Sequence, residues 1–171
     1  MRAVLFLLIV LGSTTVKAQD NPFAKLDYDR VVAYEFQGMG MQLIEKCLEE
    51  APQKINKELE LSPAQVSKLE GIITAKTAYG STTAACFDPH FAVIYYKGEE
   101  IVATVDICLE CNYLMASEEI PATSLKMIHP TEDFSYPAKG FSPETRKQLH
   151  TFVKSLGFTR YLRDLQSMFD D

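Results

Sequence analysis

Apolar and polar positions alternate or recur along most of this chain with enough regularity to mark its elements. Residues 29–36, Asp29-Arg30-Val31-Val32-Ala33-Tyr34-Glu35-Phe36, are rich in β-branched and aromatic side chains and stop at Gln37-Gly38, as a strand does. Two further runs, 91–96 and 101–109, read as strands. In the second, Ile101, Ala103, Val105, Ile107 and Leu109 alternate with more polar neighbours, which predicts one buried face. Lys97-Gly98-Glu99-Glu100 between them predicts a hairpin turn. Asn112 to Ala116 extends the pattern as a further strand candidate.

Helical spacing takes over elsewhere. Met41, Leu43, Ile44, Cys47 and Leu48 fall on one stripe, which predicts a helix over 41–50. Ser62-Pro63-Ala64-Gln65 combines a cap, a proline at the first helical position and the glutamine of a capping box, and it opens a helix over 63–76. Ser142-Pro143-Glu144 opens another over 143–156, with Leu149, Phe152, Val153 and Leu156 inward and Gly157 as its stop. Tyr161, Leu162, Leu165, Met168 and Phe169 predict a last amphipathic helix over 160–169. The stretch 53–61 fits a short helix or an edge strand. The stretch 117–141, with Pro121, Pro130, Pro137 and Gly140, reads as irregular apart from a strand candidate near 125–128. Together these predict an α+β fold: a single domain with a small antiparallel sheet and about four flanking helices.

The first residues belong to a different pattern. Arg2, the uncharged run from Ala3 to Leu11 and the Val16-Lys17-Ala18 end are the three parts of a secretory signal peptide spanning 1–18, with Gln19 as the first mature residue. The apolar run is shorter than the roughly 20 residues a membrane anchor requires, and no second long apolar stretch follows it, so no membrane span is expected after cleavage. The mature domain, 19–171, is then expected outside the cytoplasm, periplasmic or secreted. The leader carries Arg2 and Lys17 and no acid, so its removal takes the formal charge from −6 to −8. A chain this acidic, without a basic run, is a poor fit for nucleic acid.

Four cysteines remain after cleavage: Cys47, Cys86, Cys108 and Cys111. An even number in an exported protein suggests disulfides, and four allow three pairings. Cys47 lies on the apolar stripe of its helix and reads as a core residue. A hairpin turn centred between Gly98 and Glu99 places Cys86 across from Cys111. A register one pair shorter places it across from Leu109. Both put Cys86 beside the Cys108–Cys111 segment. Residues three apart on an extended strand lie about 10 Å apart, whereas a disulfide needs its Cα atoms within about 7 Å. Cys108 and Cys111 therefore bond to each other only if the chain turns at Leu109-Glu110, and these are poor turn residues.

Two other chemistries fit the same residues. Cys86, His90, Cys108 and Cys111 make a Cys3His set with ligand types suited to zinc, built from a CxxxH and a CxxC. Cys108 and Cys111 also make the dithiol of a thiol–disulfide oxidoreductase, although that chemistry favours a CxxC at a helix N-terminus and this one follows a strand. His129 and His150 stand far apart with no nucleophile motif beside them. Asp106 and Glu110 read as solvent-facing strand residues. No catalytic fingerprint is present, and no catalytic residue is assigned. The leading expectation is a small exported protein with a binding or structural role and a structural cysteine cluster.

The motif Cys86-Phe87-Asp88-Pro89, a hairpin, then Ile107-Cys108-Leu109-Glu110-Cys111-Asn112 resembles an uncharacterised group of exported bacterial proteins. That group carries Cys-Phe/Tyr-x-Pro-Arg-His followed by Ile-Cys-Phe-Glu-Cys. The strand from Tyr28 to Tyr34 and the helix from Leu149 to Phe158 are also similar. Here His90 stands where the group has Arg and Phe91 where it has His, so the resemblance assigns the histidine no shared role. It implies export and no activity.

Overall fold

The computed structural model describes residues 21–38, 40–123, 127–132 and 135–162. The proposed signal peptide lies outside these residues. Nine strands and three α-helices follow one another along them: β1 Arg30–Phe36, α1 Ile44–Glu50, β2 Ile55–Glu60, α2 Pro63–Ile73, β3 Tyr79–Ser81, β4 Phe91–Lys97, β5 Glu100–Cys108, β6 Tyr113–Ala116, β7 Met127–Ile128, β8 Tyr136–Pro137, β9 Gly140–Phe141 and α3 Pro143–Ser155. Five strands form one antiparallel sheet in the order β2-β1-β4-β5-β6. The mixed α+β class and the pairing of residues 91–97 with 100–108 are as expected. The ambiguous stretch 53–61 resolves as the edge strand β2.

The expectation of four flanking helices is corrected: the described residues hold three. Of the predicted helix 160–169, residues 160–162 are not helical and 163–169 lie outside the described residues. The helix expected over 41–50 begins only at Ile44, because Gly40 (φ 57°) and Met41 (φ 71°) take the left-handed turn that precedes it. The helix expected to reach 76 stops at Ile73, where the Thr74 hydroxyl donates back to the Glu70 carbonyl at 2.7 Å. Both long helices start as their capping residues dictate. Ser62 and Gln65 exchange the two bonds of a capping box, and Ser142 Oγ accepts from the Thr145 N–H at 3.3 Å. Gly157 leaves α3 at φ 73°.

Helices cover both faces of the sheet, which explains why the central strands are apolar on both sides. On one face Val31, Ala33, Phe91, Val93, Tyr95, Val105 and Ile107 meet Leu69 and Ile73 of α2 and Leu149, Phe152 and Val153 of α3. On the other, Tyr34, Phe36, Ala92, Ile94 and Tyr96 meet Ile44 and Cys47 of α1. Each large side chain buried this way contributes about 1.5–3 kcal/mol. Cys47 is a core residue, as expected. Asp106 is not solvent-facing: β5 is covered on the α1 face too, and the residue is 1 % exposed. No helix among the described residues is long and apolar enough to cross a membrane.

Candidate functional site

The site forms where two segments meet at one end of the sheet. The first, residues 84–90, enters β4. The second is the four-residue turn between β5 and β6, which the Cys108↔Tyr113 pairing closes. The first segment is tied down along its length. Met41 N–H donates to the Phe87 carbonyl (3.0 Å), Gly38 N–H to the Pro89 carbonyl (3.1 Å), and Gly40 N–H to Asp88 Oδ1 (2.6 Å). At Gly38 a Cβ would fall 2.3 Å from the Pro89 oxygen, so only glycine permits this approach. The two segments are joined by the Ala84 N–H to the Cys111 carbonyl (3.1 Å), by the Tyr113 hydroxyl donating to the Cys86 carbonyl, and by the Phe87–Tyr113 ring contact at 4.8 Å.

The chain does turn at Leu109-Glu110, against their turn propensities. The residue that makes this possible is Asn112, which takes φ 66°, a left-handed conformation that Asn adopts more readily than most. Asn112 is fully buried. Its Nδ2 donates to the Thr82 carbonyl (2.8 Å) and the Phe141 carbonyl (3.0 Å), and its own carbonyl accepts from the Phe141 N–H (2.9 Å). Its Oδ1 is the one buried side-chain polar atom among the described residues without a hydrogen-bond partner. The clue in the sequence was an asparagine immediately after a CxxC; the apolar strand pattern beyond it hid that clue.

Within this frame Cys86, Cys108 and Cys111 come together with Phe87 and Tyr113, as the hairpin register requires. Cys111 lies beside the other two, close enough to Cys86, Cys108 and the Asp88 backbone for each to act on its thiol. Cys108 Sγ accepts the Cys111 N–H at 3.1 Å. All four cysteines are unbonded. Burial, reinforced by the hydrogen bond to Cys111, pushes the Cys86 thiol up to about 12. The bond to Cys108, with burial, pushes the Cys111 thiol up as well. Burial raises Tyr113. The Cys86 and Cys111 thiols hold their protons, so neither is poised as a thiolate nucleophile.

His90 is placed differently from the three cysteines it was grouped with. Its Nδ1 lies 3.1 Å from the Phe36 carbonyl, which can only accept, so Nδ1 carries the proton. Its ring stacks on Tyr161 at 4.3 Å. It lines a narrow cleft with Glu35, Asp88, Ile107, Glu110 and Tyr161 on the α3 side of the sheet. Among the described residues no group of three or more His, Cys, Asp or Glu side chains is placed so that it could hold a metal ion.

Asp106, two residues before Cys108, was also missed as a site residue. Its Oδ1 accepts the Ile44 N–H at 2.8 Å and so anchors the start of α1 to β5. Burial raises it to about 7, with the Ile44 bond opposing and the Glu45 charge adding.

Comparison with protein-family models gives no match, and none is found among the curated proteins or the solved structures.

Proposed function

We propose that this is a small exported protein, periplasmic or secreted, with a binding or structural role, in which the cysteine cluster is structural rather than catalytic. The observation that carries the reading is the packing of half-buried Cys86 against buried Cys108 and Cys111, with the Cys86 and Cys111 thiols held protonated. A thiol–disulfide oxidoreductase needs an accessible, low-pKa sulfur, and the environment of these thiols pushes the other way. The cluster ties the loop before β4 to the β5–β6 turn.

Native-state alkylation tests the reading. In the reduced, folded protein all four thiols should react far more slowly than after unfolding in urea. Rapid labelling of Cys108 or Cys111 in the native state, with a reversible dithiol–disulfide couple, would establish the oxidoreductase instead. Export has its own check: N-terminal sequencing of protein recovered outside the cytoplasm should begin at Gln19, within two residues. An intact Met1 there refutes it.

A second reading, zinc held by Cys86, His90, Cys108 and Cys111, is supported in its sulfur part by the convergence of the three cysteines.

A further inference from the structure

We propose that the cleft lined by Glu35, Asp88, His90 and Tyr161 binds a small primary ammonium ion with an apolar body, and that Glu35 is the group that takes the charge. The site stands on residues other than the cysteines and goes beyond the structural reading of their cluster.

Three observations point to such a ligand. First, the cleft is concave and amphipathic. Phe91 of β4, Ile107 of β5 and Val153 of α3 give it an apolar floor, and charged side chains stand around it. Its free space is about 410 Å3 with the open mouth counted in, which suits a small ligand. Second, Glu35 is a buried carboxylate, 7 % exposed, without an ion-pair partner among the described residues. Its Oε1 accepts the Arg160 N–H at 2.7 Å. The two cations beside it are directed elsewhere. Lys57, its cross-strand neighbour, donates to the Leu156 and Gly157 carbonyls at 3.2 and 3.1 Å, and the Arg160 guanidinium donates to Asn56 Oδ1 at 2.6 Å. A buried carboxylate without a cation carries a desolvation cost that nothing offsets. Third, the polar wall consists mainly of acceptors. Asp88 and Glu110 add two carboxylates. His90 spends its Nδ1–H on the Phe36 carbonyl, which leaves Nε2 of the neutral ring an acceptor.

These features select the ligand's chemistry. An ammonium group brings three donors, no acceptor and the missing positive charge. A carboxylate or phosphate would meet like charge on every side. No three of the His, Cys, Asp and Glu side chains among the described residues are placed to hold a metal ion. An ammonium ion needs no such convergence, because each of its hydrogen bonds is made to one acceptor at a time. The apolar floor then asks for a hydrocarbon body behind the charge, which gains by leaving water. The wall that faces it is held in place: the His90 ring stacks on Tyr161 at 4.3 Å, and Asn56 Nδ2 donates to the Tyr161 hydroxyl at 3.0 Å. An ion pair formed against Glu35 is shielded from solvent on the protein side, so it outweighs one on the open surface.

The test is a titration of the reduced, folded protein with n-butylammonium, followed by amide-resolved NMR, with n-butanol and butyrate as the neutral and anionic analogues of the same body. n-Butylammonium should bind saturably, one per chain, with a Kd of the order of millimolar for so small a ligand. The largest shifts should fall on the amides of Phe91, Leu109 and Val153, which line the cleft. n-Butanol should bind at least about tenfold more weakly, and butyrate should produce no saturable shift. Glu35→Gln should weaken n-butylammonium at least about tenfold. Glu58→Gln removes the same charge from the opposite face of the sheet and should leave the affinity unchanged. Circular dichroism shows whether each variant is folded, and the three-ligand comparison in the unaltered protein stands even if Glu35→Gln is not. An absence of saturable shifts, or shifts centred away from the cleft, would overturn the proposal. Equal binding of n-butanol and n-butylammonium would overturn the ammonium class, and unchanged affinity in folded Glu35→Gln would overturn the role of Glu35. Native-state alkylation of the thiols reads a different site, so the structural reading of the cysteines and this inference fall separately.

Discussion

Replacing Asn112 separates the two jobs this residue does at the β5–β6 turn. Its amide donates to two carbonyls, Thr82 at 2.8 Å and Phe141 at 3.0 Å, and its backbone holds φ 66°. In Asn112→Gly the backbone is unstrained but both amide bonds go. The buried Phe141 carbonyl left without its donor loses about 1–3 kcal/mol, and the Thr82 carbonyl, on an exposed residue that water can reach, about 0.5–1.5 kcal/mol. The unpartnered Oδ1 goes too, and its removal returns a desolvation penalty of the order of 1 kcal/mol. The net loss for glycine is then about 0.5–3.5 kcal/mol. Alanine loses the same bonds and places a Cβ in the left-handed region with no side-chain hydrogen bond in compensation, for about 1–2 kcal/mol more. Asn112→Asp is the harshest case, since it turns acceptors toward two carbonyls and buries a charge. The assay is urea unfolding followed by far-ultraviolet circular dichroism and by tyrosine fluorescence; the chain has eight Tyr and no Trp. The expected order of stability is the unaltered protein, then Gly, then Ala, then Asp. If Gly and Ala both fall within about 0.5 kcal/mol of the unaltered protein, as ordinary surface substitutions do, Asn112 does not hold the turn and the reasoning fails.

Asp106 should make stability depend on pH. Its native pKa is raised from 3.8 to about 7, so the native state keeps a proton that the unfolded chain has released. Stability from this group is therefore complete below about pH 4 and falls as pH rises to about 7. Asp106→Asn, studied in reductant and chelator, should flatten that slope and gain on the unaltered protein across the range by up to about 4 kcal/mol; a difference in unfolding free energy that does not change with pH counts against it. Gly140→Ala would place its Cβ 1.8 Å from the Asn112 carbonyl and 2.8 Å from Thr83 Cγ2. It should destabilise by about 2–4 kcal/mol in thermal or urea unfolding, through forced overpacking; an unchanged midpoint would mean that β9 does not press on the turn.

Much of the fold was legible from spacing alone. Helix starts at Ser62 and Ser142 were readable because capping chemistry is local, and the β4–β5 pairing because two strand-like runs, the second of them alternating, flank a Gly98 turn. The neighbourhood of Cys86 and Cys111 followed from that register. What escaped depended on partners distant in sequence. Asp106 sits at an alternating position that usually faces water, and only α1 folding over that face buries it. The stretch 53–61 had a pattern open to both structures, and pairing with β1 made it a strand. Asn112 looked like the start of a strand, because its conformation is set by carbonyls at Thr82 and Phe141 about thirty residues away on each side. His90 matched a ligand spacing, yet its ring is held by Phe36 and by Tyr161, which no short motif reports.

The central claim is that Cys86 and the Cys108–Cys111 turn form one unit that holds the end of the sheet. A double-mutant cycle on Cys86→Ala and Cys111→Ala, measured by urea unfolding in reductant and chelator, addresses it most directly. Residues in contact couple by about 0.5–3 kcal/mol, and independent ones add. The pair should couple by at least about 0.5 kcal/mol on that scale. Cys47→Ala, in the separate cluster beneath α1, should add to Cys111→Ala without coupling. Strict additivity between Cys86 and Cys111 would contradict the account.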